Sequence, residues 1–299
     1  MVKMKHLLGS MRLPFLILTP ACVFLGFATA VWETGHVNFG FFLLALLGAL
    51  TAHLSVNIFN EYFDFRSGVD SRTKRTPFSG GSGTLQQYPE LANKVLILAI
   101  VAALITIGIG VFFWLQRGIG ILPVGIIGLL IVLIYSPWLV KNPYLCLVAP
   151  GLGFGTMMVL GTHFVLTGFY SPAAVLASLI PFFLVNNLLL LNQFPDVEAD
   201  ESAGRKTLPV VFGRRIGILV YAIFILLIFV TIPAGILFFE FPLETLLGEL
   251  AIFLAIPAVI IAYRQADNIK KLMPAMGLNV ILNIVTPILT AIGFLIGKP

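Results

Sequence analysis

The 299-residue chain contains only five aspartates, and four of them fall in two places: Asp64 with Asp70, and Asp196 with Asp200. Glu61, Glu198 and Glu201 lie beside them. The two places share a pattern, Asn60-x-x-x-Asp64 and Asn192-x-x-x-Asp196, offset by the same 132 residues. Magnesium keeps several waters and is typically held by one or two carboxylates together with phosphate oxygens. Two facing carboxylate clusters would therefore clamp two Mg2+ ions on one diphosphate. Nearby cations would meet the remaining phosphate charge: Arg72, Lys74 and Arg75 after the first cluster, Arg205 and Lys206 after the second, and Lys141 between them. Ser79-Gly80-Gly81-Ser82-Gly83 offers backbone N–H groups that would cradle phosphate, or is a plain flexible loop. No GK[ST] follows it, so it is not a Walker A loop. Asp267, among Arg264, Lys270 and Lys271, reads as a solvated charge. There is no HExxH and no GxSxG, and the four histidines (His6, His36, His53 and His163) are scattered.

Helices must aim these groups. His53, Asn57, Asn60 and Asp64 fall at i, i+4, i+7 and i+11, one stripe of a helix. Asn192, Asp196 and Asp200 fall at i, i+4 and i+8, one stripe of another. Asp70 lies off the first stripe, and Gly68 predicts that the chain leaves the helix and folds Asp70 back. The chain is 59% hydrophobic and 10% charged, with mean hydropathy +1.04. A soluble domain carries about 25% charged residues, so lipid must be the solvent for most of this surface. Polar stripes in such a helix face the bundle interior or water.

A spanning helix needs about 20 apolar residues. Nine are read, near 12–32, 38–60, 93–115, 118–136, 144–166, 171–193, 215–238, 244–263 and 275–297. The expectation is an all-α polytopic bundle, a single domain over 1–299, with motif loops at about 57–92 and 192–214. With the N-terminus in the cytosol, 16 of the 18 Lys and Arg fall inside, and only Arg117 and Lys298 fall outside. The net charge of +5 is thus topological and does not indicate nucleic acid. Ala28-Thr29-Ala30 after a basic N-terminus imitates a secretory signal, but the apolar run is long enough to be a retained helix. Cys22 and Cys146 lack metal-ligand spacing and read as packing residues. Gly151, Gly153 and Gly155 read as a close helix approach, and Asn279, Asn283, Thr286 and Thr290 as an interhelical hydrogen-bonding stripe. The repeated Asn/Asp element suggests two four-helix pseudo-repeats. A secondary transporter would share such repeats and buried acids. Its site would lie near the midplane at broken helices, whereas these acids sit at helix ends beside basic loops.

The motifs resemble the UbiA superfamily of intramembrane prenyltransferases. Asn57-Ile-Phe-Asn60-Glu61-Tyr62-Phe63-Asp64, Asp70 and Arg72-Thr-Lys-Arg75 are similar to the family's N-D-x-x-D, further Asp and R-T-x-x-R. Asp196-x-x-x-Asp200-x-x-x-Gly204-x-x-Thr207 resembles its second motif, and Tyr135-Ser136-Pro137 through Lys141 its Y-[ST]-x-P…K segment. The Asp64–Asp70 gap and Gly161-Thr162-His163 through Gly168 are similar to the naphthoate polyprenyltransferase branch of menaquinone synthesis. Two departures stand out: Glu61 replaces the usual Asp as another carboxylate, and His163 replaces an aromatic. The resemblance implies nine helices around a central cavity, with the acids at its cytosolic mouth. It also implies Mg2+-assisted ionisation of a polyprenyl diphosphate and alkylation of an aromatic acceptor, 1,4-dihydroxy-2-naphthoate in that branch. Other acceptors in the superfamily are homogentisate, 4-hydroxybenzoate, a chlorophyllide, haem or a glycerol phosphate. On this reading Asn60, Asp64 and Asp70 form one metal site, and Asp196 and Asp200 the other. Asn57, Arg72, Arg75, Lys141, Asn192 and Lys206 contact substrate. Tyr135 leans over the allylic cation, and His163 touches the acceptor. The setting is a multi-pass prokaryotic cytoplasmic membrane.

Overall fold

The computed structural model describes residues 7–73 and 75–297. Lys3, Lys5, His6, Lys74 and Lys298, used above for charge, spacing or topology, lie outside the described residues.

The described residues form helices and turns without a strand. Eight helices are long and apolar enough to cross a membrane, and a shorter one joins them. In chain order they are α1 (Leu13–Thr34), α2 (Phe39–Ser67), α3 (Pro89–Arg117), α4 (Ile119–Ile134), α5 (Pro143–Thr167), α6 (Pro172–Asn192), α7 (Leu208–Phe238), α8 (Leu243–Gln265) and α9 (Ile269–Ile296). The protein is a multi-pass membrane protein. Each helix packs on its neighbour in the chain, and α9 returns to α1, so the nine close into a ring.

The helix ends follow local chemistry. Asn38, Asn142, Ser171 and Asn268 accept the first free backbone N–H groups of α2, α5, α6 and α9. Pro143 and Pro172 occupy first-turn positions where no N–H is needed. Arg117 caps the other end of α5, donating to the carbonyls of Val165 at 2.7 Å and Leu166 at 2.9 Å.

Several boundaries differ from the expected spans. α2 runs seven residues beyond 60 to Ser67, because nothing before Gly68 (φ 73°) breaks it. α7 begins at Leu208 and contains a kink at Gly213 (φ 83°, ψ 161°). α6 stops at Asn192, so Asn192, Asp196 and Asp200 do not form the expected stripe of one helix. Pro195 cannot continue the helical ladder, Gln193 to Asp196 form a turn, and Asp200 sits on a separate short helix, Val197–Ser202.

Small residues set the close approaches. Ala251, Ala255, Ala258 and Ala262 form one buried face of α8. Gly151 and Gly155, in a π-helical stretch of α5, lie directly on the α6 backbone at Phe182. Gly155→Leu would drive a side chain into that backbone and is expected to destabilise the protein by about 1–3 kcal/mol or more. Gly108→Leu on α3, whose new Cβ would meet nothing within 4 Å, should leave the melting temperature in detergent unchanged. Equal melting of the two variants would refute this account of the α5–α6 contact. The α9 stripe is fully buried but mostly bonds within its own helix. Asn283 donates to the Asn279 carbonyl and Thr290 to that of Thr286, while Tyr221 of α7 supplies an interhelical bond to Asn279.

Candidate functional site

The ends of α2 and α6 frame a cavity of about 180 Å³. Its walls carry Asn57, Asn60, Asp64, Asp70, Tyr135, Asn192, Asp196 and Asp200, bringing eight of the expected site residues onto one surface. His53, Asn57, Asn60 and Asp64 reach it as a single stripe of α2. Gly68 then reverses the chain, and Asp70 comes back to the same cavity, 6% exposed.

The acids converge from both motifs. Asp64 and Asp200 are 4% and 3% exposed. Between them lies Arg205, whose guanidinium donates to Asp64 Oδ1 and, at 3.4 Å, to Asp200 Oδ1. Burial and then the Asp64 charge push Asp70 up to about 6. Burial and then the Asp200 charge push Asp196 up to about 7, against a hydrogen bond from Ser79 that lowers it. Burial pushes Asp200 up to about 6 against the opposing Arg205. For Arg205, burial opposes the charge, but the carboxylates outweigh it and raise its pKa.

The remaining polar contacts shape the rim. Ser136 donates to Asn60 Oδ1 at 2.9 Å, and Gln86 to Asp70 Oδ2 at 3.4 Å. Tyr135 turns its hydroxyl to Cys146 Sγ at 3.8 Å. Cys146 is buried, as expected of a packing residue, and also lines the cavity. The glycine-rich run folds over the site, with Ser79, Gly80 and Gly81 on its wall. Glu61 is fully buried and accepts from Ser82 N at 3.0 Å, Ser82 Oγ at 2.5 Å and Arg12 at 3.2 Å, pinning that run to α2.

Five expected contacts are not on this wall. Arg72 is exposed and donates to the Ser202 carbonyl and hydroxyl at 3.1 Å, which ties the first loop to the second. Arg75 is exposed and bonds Gln86 at 3.3 Å. Lys141 and Lys206 point to solvent. His163 lies seventeen residues along α5 from Cys146, or about 25 Å at helical rise. It is buried at the other end of the bundle, 3.0 Å from Thr29 and 3.5 Å from Glu33. Among the described residues the cations that line the cavity are Arg12 and Arg205. In the sequence Arg12 counts only toward the inside charge, and nothing in its spacing marks it. Arg205 follows Gly204 (φ 73°), which turns the chain so that Arg205 N reaches the Asp200 carbonyl at 2.9 Å. Arg205 lines the cavity, while the adjacent Lys206 is exposed.

Among the described residues no three His, Cys, Asp or Glu side chains form a ready metal cage. The donor set still fits Mg2+. All donors are hard oxygens, and Asn192 Oδ1 and Asp196 Oδ1 are buried without a hydrogen-bond partner. Such a site would take its remaining ligands from phosphate and water.

His53, Val56, Ile131 and Phe154 border both this cavity and a second one of about 320 Å³ between α2, α3, α4 and α5. His53 packs edge-on against Phe154, with ring centroids 4.4 Å apart. The second cavity is almost wholly apolar, and Gly110, Gly125 and Gly128 on its wall leave open space where a side chain would stand.

Comparison with known proteins agrees with this arrangement. A 1,4-dihydroxy-2-naphthoate octaprenyltransferase of Bacillus subtilis (strain 168) is 27% identical over 195 residues, 64% of this chain and 61% of that protein, so less than two thirds of its length is matched. A digeranylgeranylglyceryl phosphate synthase of Methanothermobacter thermautotrophicus is 27% identical over 241 residues, 79% of this chain and 78% of that protein. The structure of a UbiA homolog from Archaeoglobus fulgidus bound to GPP and Mg2+ superposes with TM-score 0.67 at 17% identity, over 94% of this chain and 98% of that one. The model of the UbiA prenyltransferase family matches residues 19–284, which takes in both aspartate motifs and the helices that carry them, and the chain therefore belongs to that family of membrane prenyltransferases.

Proposed function

We propose that the chain transfers a polyprenyl group from its diphosphate to 1,4-dihydroxy-2-naphthoate, with Mg2+ as cofactor. The observation that carries this reading is the junction of an acid cavity holding two arginines with an apolar cavity. Such a junction suits a substrate with a diphosphate head and a hydrocarbon tail. Bound Mg2+ would neutralise diphosphate charge and so favour its departure. Asn60, Asp64 and Asp70 on one side, and Asp196 and Asp200 on the other, would hold it. Arg12 and Arg205 donate to the phosphate oxygens that gain charge as the allylic C–O bond breaks. The apolar wall keeps water from the allylic cation, and Tyr135 lies at the same mouth, where an aromatic ring stabilises positive charge. The acceptor ring carbon that bears the carboxylate then bonds to the prenyl carbon, and the carboxylate leaves as CO2, its bonding electrons restoring the aromatic ring and giving a prenylated naphthoquinol. We place the acid mouth on the cytosolic side of a prokaryotic cytoplasmic membrane, from the Lys/Arg distribution, and take 1–299 as one functional domain.

The acceptor rests on the Bacillus relative. The longer match to the digeranylgeranylglyceryl phosphate synthase favours a second reading, with a singly prenylated glyceryl phosphate as acceptor. Purified protein incubated with geranylgeranyl diphosphate and either acceptor, with Mg2+ or EDTA, separates them by mass spectrometry. A Mg2+-dependent prenylated naphthoquinol supports the first reading, and prenylation of the glyceryl phosphate alone replaces it.

The apolar cavity is expected to hold the donor tail. Gly128→Phe should lower kcat/KM for the geranylgeranyl donor by roughly 10–100-fold, the cost of overpacking, while the dimethylallyl donor is used almost as before. Equal loss for both donors would place the tail elsewhere.

A further inference from the structure

We propose that Arg205 is an exchangeable counter-cation: it occupies the place of the metal between the two motifs until Mg2+–diphosphate arrives, then releases the carboxylates and turns to the phosphate. This rests on the reading above that Asp64 and Asp200 hold the metal.

Asp64 and Asp200 belong to opposite motifs, and both are almost fully buried. Two unpaired carboxylates at that depth are strongly disfavoured. One guanidinium joins them, with Nη2 on Asp64 and Nη1 on Asp200. The guanidinium's rigid fork presents two N–H donors in fixed directions, one to each carboxylate, whereas an ammonium is a compact point charge on a flexible stem. The Arg205 backbone is fixed by Gly204 and by its bond to the Asp200 carbonyl, so exchange needs only side-chain rotation. Asn192 Oδ1 and Asp196 Oδ1 line the same cavity without partners, so donors for an incoming cation remain on the second side. Metal alone must displace the arginine. Metal with diphosphate gives the displaced guanidinium a new partner. Mg2+ and diphosphate therefore assist each other's binding through this one side chain.

Mn2+ binding, read from the paramagnetic resonance of the free ion, tests this on the full chain in detergent. Wild type, Arg205→Gln and Arg205→Lys are compared with and without inorganic pyrophosphate. Arg205→Gln is expected to bind Mn2+ alone roughly tenfold more tightly than wild type and to lose a similar factor of the tightening that pyrophosphate confers. Its metal-free melting temperature falls and recovers with Mn2+. Arg205→Lys, which keeps the charge but not the fork, shifts in the same direction by less and serves if the glutamine variant does not fold. A merely structural arginine would weaken Mn2+ binding along with melting. That result, or unchanged Mn2+ affinity, overturns the exchange while leaving the site assignment intact. Failure of wild type itself to bind Mn2+ with pyrophosphate overturns the functional reading instead.

Discussion

Asp64→Asn and Asp196→Asn are each expected to lower kcat/KM by roughly 100-fold or more, since even groups one shell away from a metal cost 10–100-fold. The protein should stay folded. Asn matches Asp in shape, and in Asp64→Asn the Arg205 guanidinium keeps Asp200 as its partner. Asp267→Asn is the control. Its side chain is 79% exposed, with Arg214 4.0 Å away, so it should change stability by no more than about 0.5 kcal/mol and turnover not at all. Product formation followed by mass spectrometry, alongside melting in detergent, checks all three. Near-normal turnover in a folded Asp64→Asn variant would end the paired-carboxylate account.

A steep pH dependence should accompany this. Asp70 and Asp200 are pushed up to about 6 and Asp196 to about 7, from a reference of 3.8, in each case first by burial. Between about pH 4 and pH 7 the native state therefore binds more protons than the unfolded chain. Metal-free stability is highest below the unfolded value and is lost as pH rises through the folded ones. Metal binding has the opposite sign, because ligands must be deprotonated. At pH 5 a carboxyl titrating near 7 is ionised in about 1% of molecules. Mg2+-dependent turnover should thus fall roughly 100-fold between pH 8 and pH 5, while the melting temperature in EDTA rises. Melting curves with Mg2+ and with EDTA that run parallel across that range would refute the coupling.

Much of the fold is legible from short-range physics. Apolar runs locate nine helices because a bilayer leaves the backbone no alternative to internal hydrogen bonding. Gly68 marks the end of α2 because a left-handed turn favours glycine, and this returns Asp70 to the cavity. The α2 stripe from His53 to Asp64 is legible because a continuous helix repeats its face. The same reasoning fails after Asn192, where spacing by four implies one helix although Pro195 ends the ladder.

Basic residues show where sequence stops. Arg72, Arg75, Lys141, Lys206, Arg205 and Arg12 look alike in the sequence, all basic and beside apolar spans. Which of them enters the cavity depends on a turn at Gly204 and on where the N-terminal turn of α1 lies against α2. His163 falls near motif residues of the resemblance, yet the length of α5 carries it to the far end of the bundle. The sequence by itself determined the solvent, the helices and the concentration of acid at two helix ends, since composition and local periodicity specify these. The tertiary structure alone decided that Arg12 and Arg205 face the acids, that Glu61 anchors a loop, and that an apolar cavity adjoins them. Each of these depends on contacts between residues far apart in the chain, and no local spacing encodes them.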